Sequence, residues 1–299
     1  MQPINYHHIY VQDLQIEHIS KNIQLSILRT DAIHSIISGN KWFKLQLQLK
    51  DAVQKGFTHI GTFGGAYSNH LVATAYACQM QQLKSIGIVR GEPTNPPSHT
   101  LQDAQKFSMQ LNHVERSTYK NKEAIKEQYL EQDSAIYWIN EGGYSHLGAA
   151  GAQLMTQWIP DTATHIVCAV GTGTMMAGLI KGALPHQQVI GISALKGHWE
   201  LHNDVLALLT AAEKQKKIHV IHDYHFGGYA KCNPKLIDWM NHLYRLYQLP
   251  TDRVYTSKMM YGLFQLLEQG YFAPGSRIVA IHSGGLQGNL SLPVGELLF

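Results

Sequence analysis

The segment FTHIGTFGGAYSNHLVATAYACQMQQ, residues 57–82, combines three local patterns that together indicate a fold class. Residues 57–62 form a short apolar and β-branched run, which is typical of a buried strand. Gly64 and Gly65 follow and predict a tight turn. Residues 69–82 have a helical pattern with apolar side chains on one face. A strand, a glycine turn and a helix in this order form the repeating unit of an α/β sheet.

The same alternation of short apolar runs and longer helical segments continues to the end of the chain. Further strands are predicted at residues 85–89, 135–139, 165–170, 189–193, 218–221 and 277–282. Such strands alternating with helices indicate open, mostly parallel sheets flanked by helices. Glycine-rich turns follow Thr62, Val170 and His282, at the carboxyl ends of strands. Because parallel sheets bind ligands at these ends, the sequence predicts an α/β fold with a ligand site there.

The composition excludes several classes of protein. The 299 residues are 44% hydrophobic and 15% charged, which is ordinary for a globular protein. No run approaches the roughly 20 apolar residues of a membrane span, and no signal peptide is readable at the N-terminus. The net charge is +3 without a dense basic cluster, and lysines 214, 216 and 217 are interpreted as the solvated end of a helix. With three scattered cysteines, we expect a cytoplasmic protein that binds neither nucleic acid nor membrane.

Lys41, in the run SGNKWFKL at residues 38–45, is the strongest candidate for covalent chemistry. A lysine attacks an aldehyde only as the neutral amine, so burial or a nearby charge must lower its pKa from near 10.4. The neighbouring aromatic residues can provide the apolar surroundings. The alternative is a surface lysine at the start of a helix. Lys44 and Lys50 are expected on the outward, polar face of that helix.

Two glycine-rich turns have the composition of anion sites. Gly64 and Gly65 precede Ser68 at a predicted helix start, where backbone amides and the helix dipole attract negative charge, although Ser68 can instead be a plain N-cap. The run VGTGTMMAG at residues 170–178 follows a strand in the same way and suits a lone phosphate. A dinucleotide site is disfavoured, because Met176 replaces the third glycine of that motif and no acidic residue ends the next strand.

Segments in the same order resemble motifs of the 1-aminocyclopropane-1-carboxylate deaminase/D-cysteine desulfhydrase family, which belongs to the tryptophan synthase β-like group of pyridoxal-phosphate enzymes. They are GNKWFKL at 39–45, GGAYSNH at 64–70, NEGGYSHLG at 140–148, GTGT at 171–174, DYHFGGY at 223–229, VYTSKMMYG at 254–262 and IHSGG at 281–285. The resemblance implies pyridoxal 5'-phosphate as cofactor and a two-domain tryptophan synthase β-like fold. The large cofactor-binding domain would comprise residues 1–46 and 149–299, and the small inserted domain residues 47–148.

The resemblance also implies roles for single residues. Lys41 would bind the cofactor aldehyde, Ser68 would face the substrate and take part in proton transfer, and Asn69 would contact the cofactor's 3-oxygen. The backbone amides of the same turn, up to His70, would receive the substrate carboxylate. The remaining implied contacts are the phosphate loop of Gly171, Thr172, Gly173 and Thr174, the pyridine-nitrogen partner Ser283, and Tyr229 and Tyr255 near the ring and the substrate.

The implied reaction is deamination of a small amino acid by α,β-elimination, with Lys41 or Ser68 as the general base. Our first substrate is D-cysteine, which would give pyruvate, ammonia and sulfide. Deamination of 1-aminocyclopropane-1-carboxylate or a serine-type dehydration is the alternative. Genuine deaminases of the family usually carry glutamate where this chain has Thr256, which disfavours ring opening. The family also suggests a homodimer.

Several residues leave other interpretations open. A non-catalytic small-ligand or nucleotide-binding protein on the same fold remains an alternative, because three residues depart from the family motifs, namely Phe43, Met175 and Ser257. Ser283 can be a turn residue, and Tyr229 and Tyr255 can be core rings with satisfied hydroxyls. His198 and His202 stand four apart on a predicted helix but lack a third ligand, so no metal site is predicted.

Overall fold

The computed structural model describes residues 3–16, 22–130 and 135–299, which form two sheets with helices on their faces. The strands are β1 (Val11–Leu14), β2 (Gln24–Arg29), β3 (His59–Gly65), β4 (Lys84–Arg90), β5 (Met109–Val114), β6 (Ile136–Ile139), β7 (His165–Val170), β8 (Gln188–Ser193), β9 (Ile218–Ile221) and β10 (Arg277–His282). The α-helices are α1 (Asn40–Gln54), α2 (Asn69–Met80), α3 (His99–Lys106), α4 (Lys122–Leu130), α5 (His146–Gln153), α6 (Thr174–Gly182), α7 (Leu201–Ala207), α8 (Pro234–Tyr247) and α9 (Thr256–Glu268).

The larger sheet has the strand order β1-β2-β10-β7-β8-β9. β1 is antiparallel to β2, and the other pairs are parallel. β10 lies in the interior, with Val279 opposite Ser26 on one side and Ile166 on the other. Its carboxyl end therefore lies beside the carboxyl end of β7, and the two loops that follow these strands are neighbours.

The smaller sheet has the order β5-β4-β3-β6 and all its pairs are parallel. Gly65 at the end of β3 stands opposite Arg90 at the end of β4. Gly64 and Gly65, predicted to form the turn, are instead the last residues of β3, and residues 66–68 then lead into α2. The predicted α/β fold with two mostly parallel, helix-flanked sheets is therefore confirmed.

Helix α1 contributes to the cores of both sheets. Phe43 packs in the cluster that contains residues of α5 and α6 on one face of the larger sheet. One turn further on, Leu45 and Leu49 pack with Ala73 and Ala77 of α2 against the smaller sheet. The boundary predicted between residues 46 and 47 falls inside this helix, and the division into domains stays a prediction.

Three interpretations of single residues are wrong. Lys44 does not face outward: it is buried, as are Leu45 and Gln48 beside it. Lys216 is not a solvated helix end, because its Nζ donates to backbone carbonyls that end α6, those of Ile180, Lys181 and Ala183 at 2.7–2.9 Å. His198 lies before α7 rather than on it. Across residues 3–16, 22–130 and 135–299, no helix is long and apolar enough to cross a membrane.

Candidate active site

The start of α1 is fixed by close contact with the loop after β10. Gly39 has a φ of 56°, and a side chain there would start 2.1 Å from the carbonyl oxygen of Ser283, so only glycine fits. The backbone N–H of Asn40 donates to the same carbonyl at 3.2 Å. The lysine at the second position of α1 is thereby held against the carboxyl end of the larger sheet.

Lys41 lies in surroundings that favour the neutral amine. Its Nζ donates to the side-chain oxygen of Asn40 at 2.9 Å and lies 5.9 Å from the ring centroid of Tyr255. Burial lowers its pKa to about 8, and the negative charge of Asp252 opposes that shift. About a tenth of this amine is therefore uncharged at pH 7, far more than for an ordinary lysine, and attack on an aldehyde requires the uncharged form.

A second buried lysine lies three residues further along α1. Lys44 is only 5% exposed, and its ammonium forms no hydrogen bond or ion pair within the described residues. Burial first, and then the charge of Lys41, hold its pKa well below the usual value. Side chains placed on Gly142 and Gly143 would meet Thr172 and Lys44 respectively, so Lys44 lies near the loop that starts at Gly171. An anion in that loop would favour the protonated form of Lys44.

The glycine turn between β3 and α2 leaves its polar groups available. Ser68 occupies the N-cap position of α2, yet its side chain makes no capping hydrogen bond, so the plain N-cap interpretation is not supported. A side chain on Gly64 would start 2.8 Å from Ser68 Oγ, so this glycine makes room for the hydroxyl. The amides of Asn69 and His70 begin the helix and therefore have no acceptor within it.

Asn69 links this turn to the loop after β10. Its Nδ2 donates to the carbonyl oxygen of Gly285 at 3.2 Å, and its Oδ1 is buried without a hydrogen-bond partner. An unsatisfied buried acceptor is uncommon in folded proteins and indicates a missing donor or ligand at this point.

The imidazole of His70 is buried below the turn rather than exposed in it. Its Nε2 lies 2.9 Å from Thr62 Oγ1, which itself donates to the carbonyl of Ile139, so Nε2 is the donor of the pair. Burial, followed by the charges of Lys44 and Lys41, holds the pKa of His70 well below its usual value. The ring is therefore neutral, and only the backbone amide of His70 is placed to contact an anion.

The predicted phosphate loop connects β7 to α6. Gly173 adopts a left-handed conformation, with φ 81°, at the N-cap of α6, and the hydroxyls of Thr172 and Thr174 lie 2.9 Å apart. Backbone amides at a helix start together with two hydroxyls suit a phosphate group. Met175 has no hydroxyl to offer a phosphate. It is buried, and its sulfur accepts a hydrogen bond from Asn40 Nδ2 at 3.3 Å.

Tyr255 and Tyr229 form an aromatic pair beside Lys41. Their ring centroids are 6.0 Å apart in a T-shaped arrangement. A side chain on Gly171 would start 3.0 Å from Tyr255, so this ring covers the phosphate loop. Burial raises the pKa of Tyr255 well above 10, whereas Tyr229 is 44% exposed at the rim. Tyr255 also packs against the hydrophobic core of the larger sheet.

Two buried charged residues beside the candidate site were missed by sequence reasoning. Asp252 is fully buried, and its carboxylate accepts from the backbone N–H groups of Val254, Tyr255 and Thr256 and from the Thr256 hydroxyl, at 2.7–2.9 Å. Lys258 is 1% exposed and donates to the carbonyl of Gly228 at 2.7 Å. An aspartate four residues before a helix start is a capping signal that could have identified Asp252.

The predicted site residues thus come from distant segments to one region where the carboxyl ends of both sheets meet. Direct contacts join α1 to the loop after β10, that loop to Asn69, and Tyr255 to both Lys41 and Gly171. His198, one of the two histidines considered for a metal site, has its Nε2 2.7 Å from Asp204 Oδ2. In the described part of the chain, no group of three histidine, cysteine or acidic residues is arranged to hold a metal ion.

Comparison with known proteins identifies relatives over almost the whole length. Residues 15–284 match the family model described as pyridoxal-phosphate dependent enzyme. A Pyrococcus abyssi protein named provisionally as a 1-aminocyclopropane-1-carboxylate deaminase is 28% identical over 284 residues, covering 89% of this chain and 86% of the relative. A D-cysteine desulfhydrase of Salmonella typhi is 26% identical over 284 residues, covering 88% and 87%.

A solved structure of similar fold agrees with these relatives. The crystal structure of an ACC deaminase homologue has a TM-score of 0.81 and 25% sequence identity, and the match covers 94% of this chain and 90% of that one. The motifs of the sequence, the two parallel sheets and these relatives lead to one conclusion. The chain belongs to the pyridoxal-phosphate dependent enzyme family, and its relatives within that family are the 1-aminocyclopropane-1-carboxylate deaminases and D-cysteine desulfhydrases.

Proposed function

We propose that the protein is a lyase that converts a small amino acid to a 2-oxo acid by α,β-elimination, with D-cysteine as the first substrate. In the net reaction, D-cysteine and water give pyruvate, ammonia and sulfide. The observation that carries the proposal is Lys41, a partly accessible lysine with a pKa of about 8, held against the carboxyl end of the larger sheet. Each remaining role is inferred from a neighbour of this lysine.

The residues around Lys41 fit pyridoxal phosphate. The Gly171–Thr174 loop offers amides and hydroxyls to a phosphate, and the buried Lys44 nearby would be protonated more readily once that anion is bound. The unpartnered Oδ1 of Asn69 and the hydroxyl of the buried Ser283 are further polar groups that would contact the ring. When bound, the cofactor supplies a ring that accepts electrons from the substrate Cα after proton removal.

The substrate groups are assigned to the turn before α2. The free amides at the start of this helix would bind the α-carboxylate, aided by the helix dipole. Ser68 Oγ is not engaged in capping and is available to move a proton, and the neutral amine of Lys41 is the other candidate base. Tyr255 and Tyr229 would cover the site and exclude water.

Thr256 supports elimination over cyclopropane ring opening. Its hydroxyl and backbone N–H both hydrogen-bond to Asp252, and the carboxylate is fully used by four donors, so neither group is free to protonate a substrate carbon or a ring nitrogen. A hydroxyl at Ser283 also leaves a bound ring less electron-withdrawing than a carboxylate partner would, which suits departure of a β leaving group.

The proposal is tested by measuring three products side by side. Enzyme loaded with pyridoxal phosphate is incubated with D-cysteine, L-cysteine, D-serine and 1-aminocyclopropane-1-carboxylate, and sulfide, pyruvate and 2-oxobutanoate are quantified. We expect sulfide and pyruvate in equal amounts from D-cysteine and no 2-oxobutanoate. Formation of 2-oxobutanoate from the cyclopropane substrate as the fastest reaction would contradict the proposal.

Ser68→Ala tests the assignment within the site. Loss of a proton-transfer group is expected to lower kcat by about 10²- to 10⁴-fold. The matched control is Ser117→Ala, an exposed serine that bonds only to the nearby Glu115, which should leave kcat unchanged. An unchanged kcat in the Ser68 variant would remove this residue from the mechanism and leave Lys41 as the base.

A further inference from the structure

We propose that Arg90 selects substrates whose β-substituent carries negative charge, such as a phosphate ester or a carboxylate. This inference rests on the proposed elimination and names the substrate class for it. The substrates it favours are β-substituted alanines with an anionic leaving group. D-cysteine, whose leaving group is a neutral thiol, would react with a lower kcat/KM.

Arg90 is placed beside the turn assigned to the substrate. It is the last residue of β4 and stands opposite Gly65, the last residue of β3. A side chain on Gly65 would start 3.7 Å from Arg90 Nη2, so the guanidinium extends over the start of the turn that leads to Ser68. A substrate held at the amides of this turn lies within reach of the arginine.

The charge of Arg90 has no partner in the protein. The guanidinium forms no hydrogen bond or ion pair with any described residue, and its Cζ stacks 5.7 Å from the ring centroid of Tyr119. Lys122 lies over the same ring at 5.2 Å. The carboxylate close to this ring, that of Glu141, is already paired with Lys122 at 2.7 Å. Arg90 and Lys122 therefore lie near one carboxylate, that of Glu141. Lys122 is paired with it, and Arg90 has no anionic partner among the described residues.

The guanidinium also acts on the opposite wall of the site. Burial raises the pKa of both Tyr119, in the smaller sheet's core, and Tyr229, which belongs to the loop after β9 of the larger sheet, and the positive charge of Arg90 opposes that shift in each. Tyr229 in turn packs against Tyr255 and so against the surroundings of Lys41. Arg90 therefore lies between the substrate turn and the exposed tyrosine, at the entrance to the site.

The chemistry of arginine indicates what it would bind. A planar guanidinium presents paired donors that match the oxygens of carboxylates and phosphates, and it stays charged at every accessible pH. A thiol or an ester with neutral oxygens cannot use both donors in this way. In the proposed reaction, the proton leaves Cα, the bond from Cβ to the leaving group breaks with its electron pair on that group, and water completes pyruvate and ammonia.

The experiment compares two leaving groups that differ in charge but share the same bond. Pyruvate formation from O-phosphoserine and O-acetylserine, each as the D and L form, gives kcat/KM for the loaded wild-type enzyme and for Arg90→Gln. We expect the variant to lose about 10- to 100-fold with O-phosphoserine, the value of a charge-assisted pair, and less than about 3-fold with O-acetylserine. Arg116→Gln is the matched control, since Arg116 lies beside Gly91 on the next strand end, and it should change neither value.

Two further measurements keep the test decisive. Arg90→Lys retains the positive charge without the paired N–H donors of the guanidinium, and it should recover part of the lost kcat/KM with O-phosphoserine. Calorimetric binding of 2-amino-3-phosphonopropionate, which has no leaving group, should weaken in Arg90→Gln while binding of alanine does not. Equal losses of kcat/KM with both esters would overturn the inference, because Arg90 would then hold the α-carboxylate that both share. The absence of a loss with either ester would also overturn it. Pyruvate formation from D-cysteine decides the proposed elimination separately. If D-cysteine reacts and neither ester does, the inference about Arg90 is overturned; if no substrate gives pyruvate, the elimination itself fails and the binding comparison decides the role of Arg90.

Discussion

The starts of helices α1 and α9 each carry a buried lysine, and the two lysines differ in access rather than in acidity. Burial lowers the pKa of Lys41 and that of Lys258 to about 8, and Asp252 opposes the shift in both. Lys258 is 1% exposed and donates to a backbone carbonyl, whereas Lys41 is half-buried and donates to the side chain of Asn40. A lowered pKa therefore does not by itself identify the reactive lysine. The reactive one also needs space for a ligand and a partner that can release it.

The largest expected effect separates the two lysines by covalent labelling. Borohydride reduction of the loaded enzyme followed by peptide mapping should place the cofactor on Lys41, and Lys41→Ala should abolish the label and the activity. The control Lys258→Met should keep the label on Lys41, because the Lys258 amine of the wild type is enclosed by protein and is not expected to react. A label on Lys258 or Lys44, or none on fully loaded wild type, would remove the basis of the proposed function.

A second prediction concerns Asp252, whose negative charge acts on both lysines. The rate of cofactor uptake by the apoenzyme should rise with pH up to about 8 and then level off, since about a tenth of the Lys41 amine is neutral at pH 7 with this pKa. Asp252→Asn removes a negative charge that favours the ammonium form, so the pKa falls and the plateau should begin at lower pH. Stopped-flow absorbance measures the uptake, with N-acetyl-lysine as the control for titration of the cofactor itself. A plateau displaced to higher pH would refute the assigned electrostatics.

The smallest effect is on stability. Lys258 is protonated in the unfolded chain up to its ordinary pKa near 10.5 but loses its proton near pH 8 when folded, so the unfolded state binds more protons between these values. The free energy of unfolding should therefore rise with pH in this window, by about 1 kcal/mol per unit relative to Lys258→Met. Urea unfolding of the apoenzyme at pH 8, 9 and 10 measures this difference.

An exposed lysine provides the control for that experiment. Lys55 pairs with Asp51 on the surface, and Lys55→Met should change stability by no more than about 0.5 kcal/mol, with no trend across the same pH range. A slope in the Lys55 variant equal to that of the Lys258 variant would mean that burial of Lys258 is not its cause.

Most of the fold followed from local patterns. The apolar strands β7, β9 and β10 have the predicted bounds, because each is a short run of β-branched and aliphatic residues. β5, with the sequence MQLNHV, was missed because it is a polar edge strand whose side chains are only partly buried. β1 and β2 were missed as well, and β1 is the antiparallel edge strand of the larger sheet, which stands outside the strand–helix alternation that guided the prediction.

The site was predictable where a motif is contiguous and not where a residue acts at a distance. Glycine-rich turns after strands identify Ser68 and the Gly171–Thr174 loop from the sequence alone. Lys44 looked like a residue of an outward helix face, because it is covered by Gly143, which lies about 100 positions away in the sequence. Asp252 is another such case, since its influence on Lys41 depends on how the start of α9 approaches the start of α1.

Helix α1 couples the unfolding of the two hydrophobic clusters to which it contributes. Its first turn, with Phe43, is anchored among α5 and α6, and its later turns, with Leu45 and Leu49, are anchored against α2. Neither hydrophobic cluster can unfold without exposing part of the other, because both contain side chains of helix α1. Denaturation should therefore proceed as one cooperative event, and the amine at position 41 keeps its alignment until the whole architecture melts.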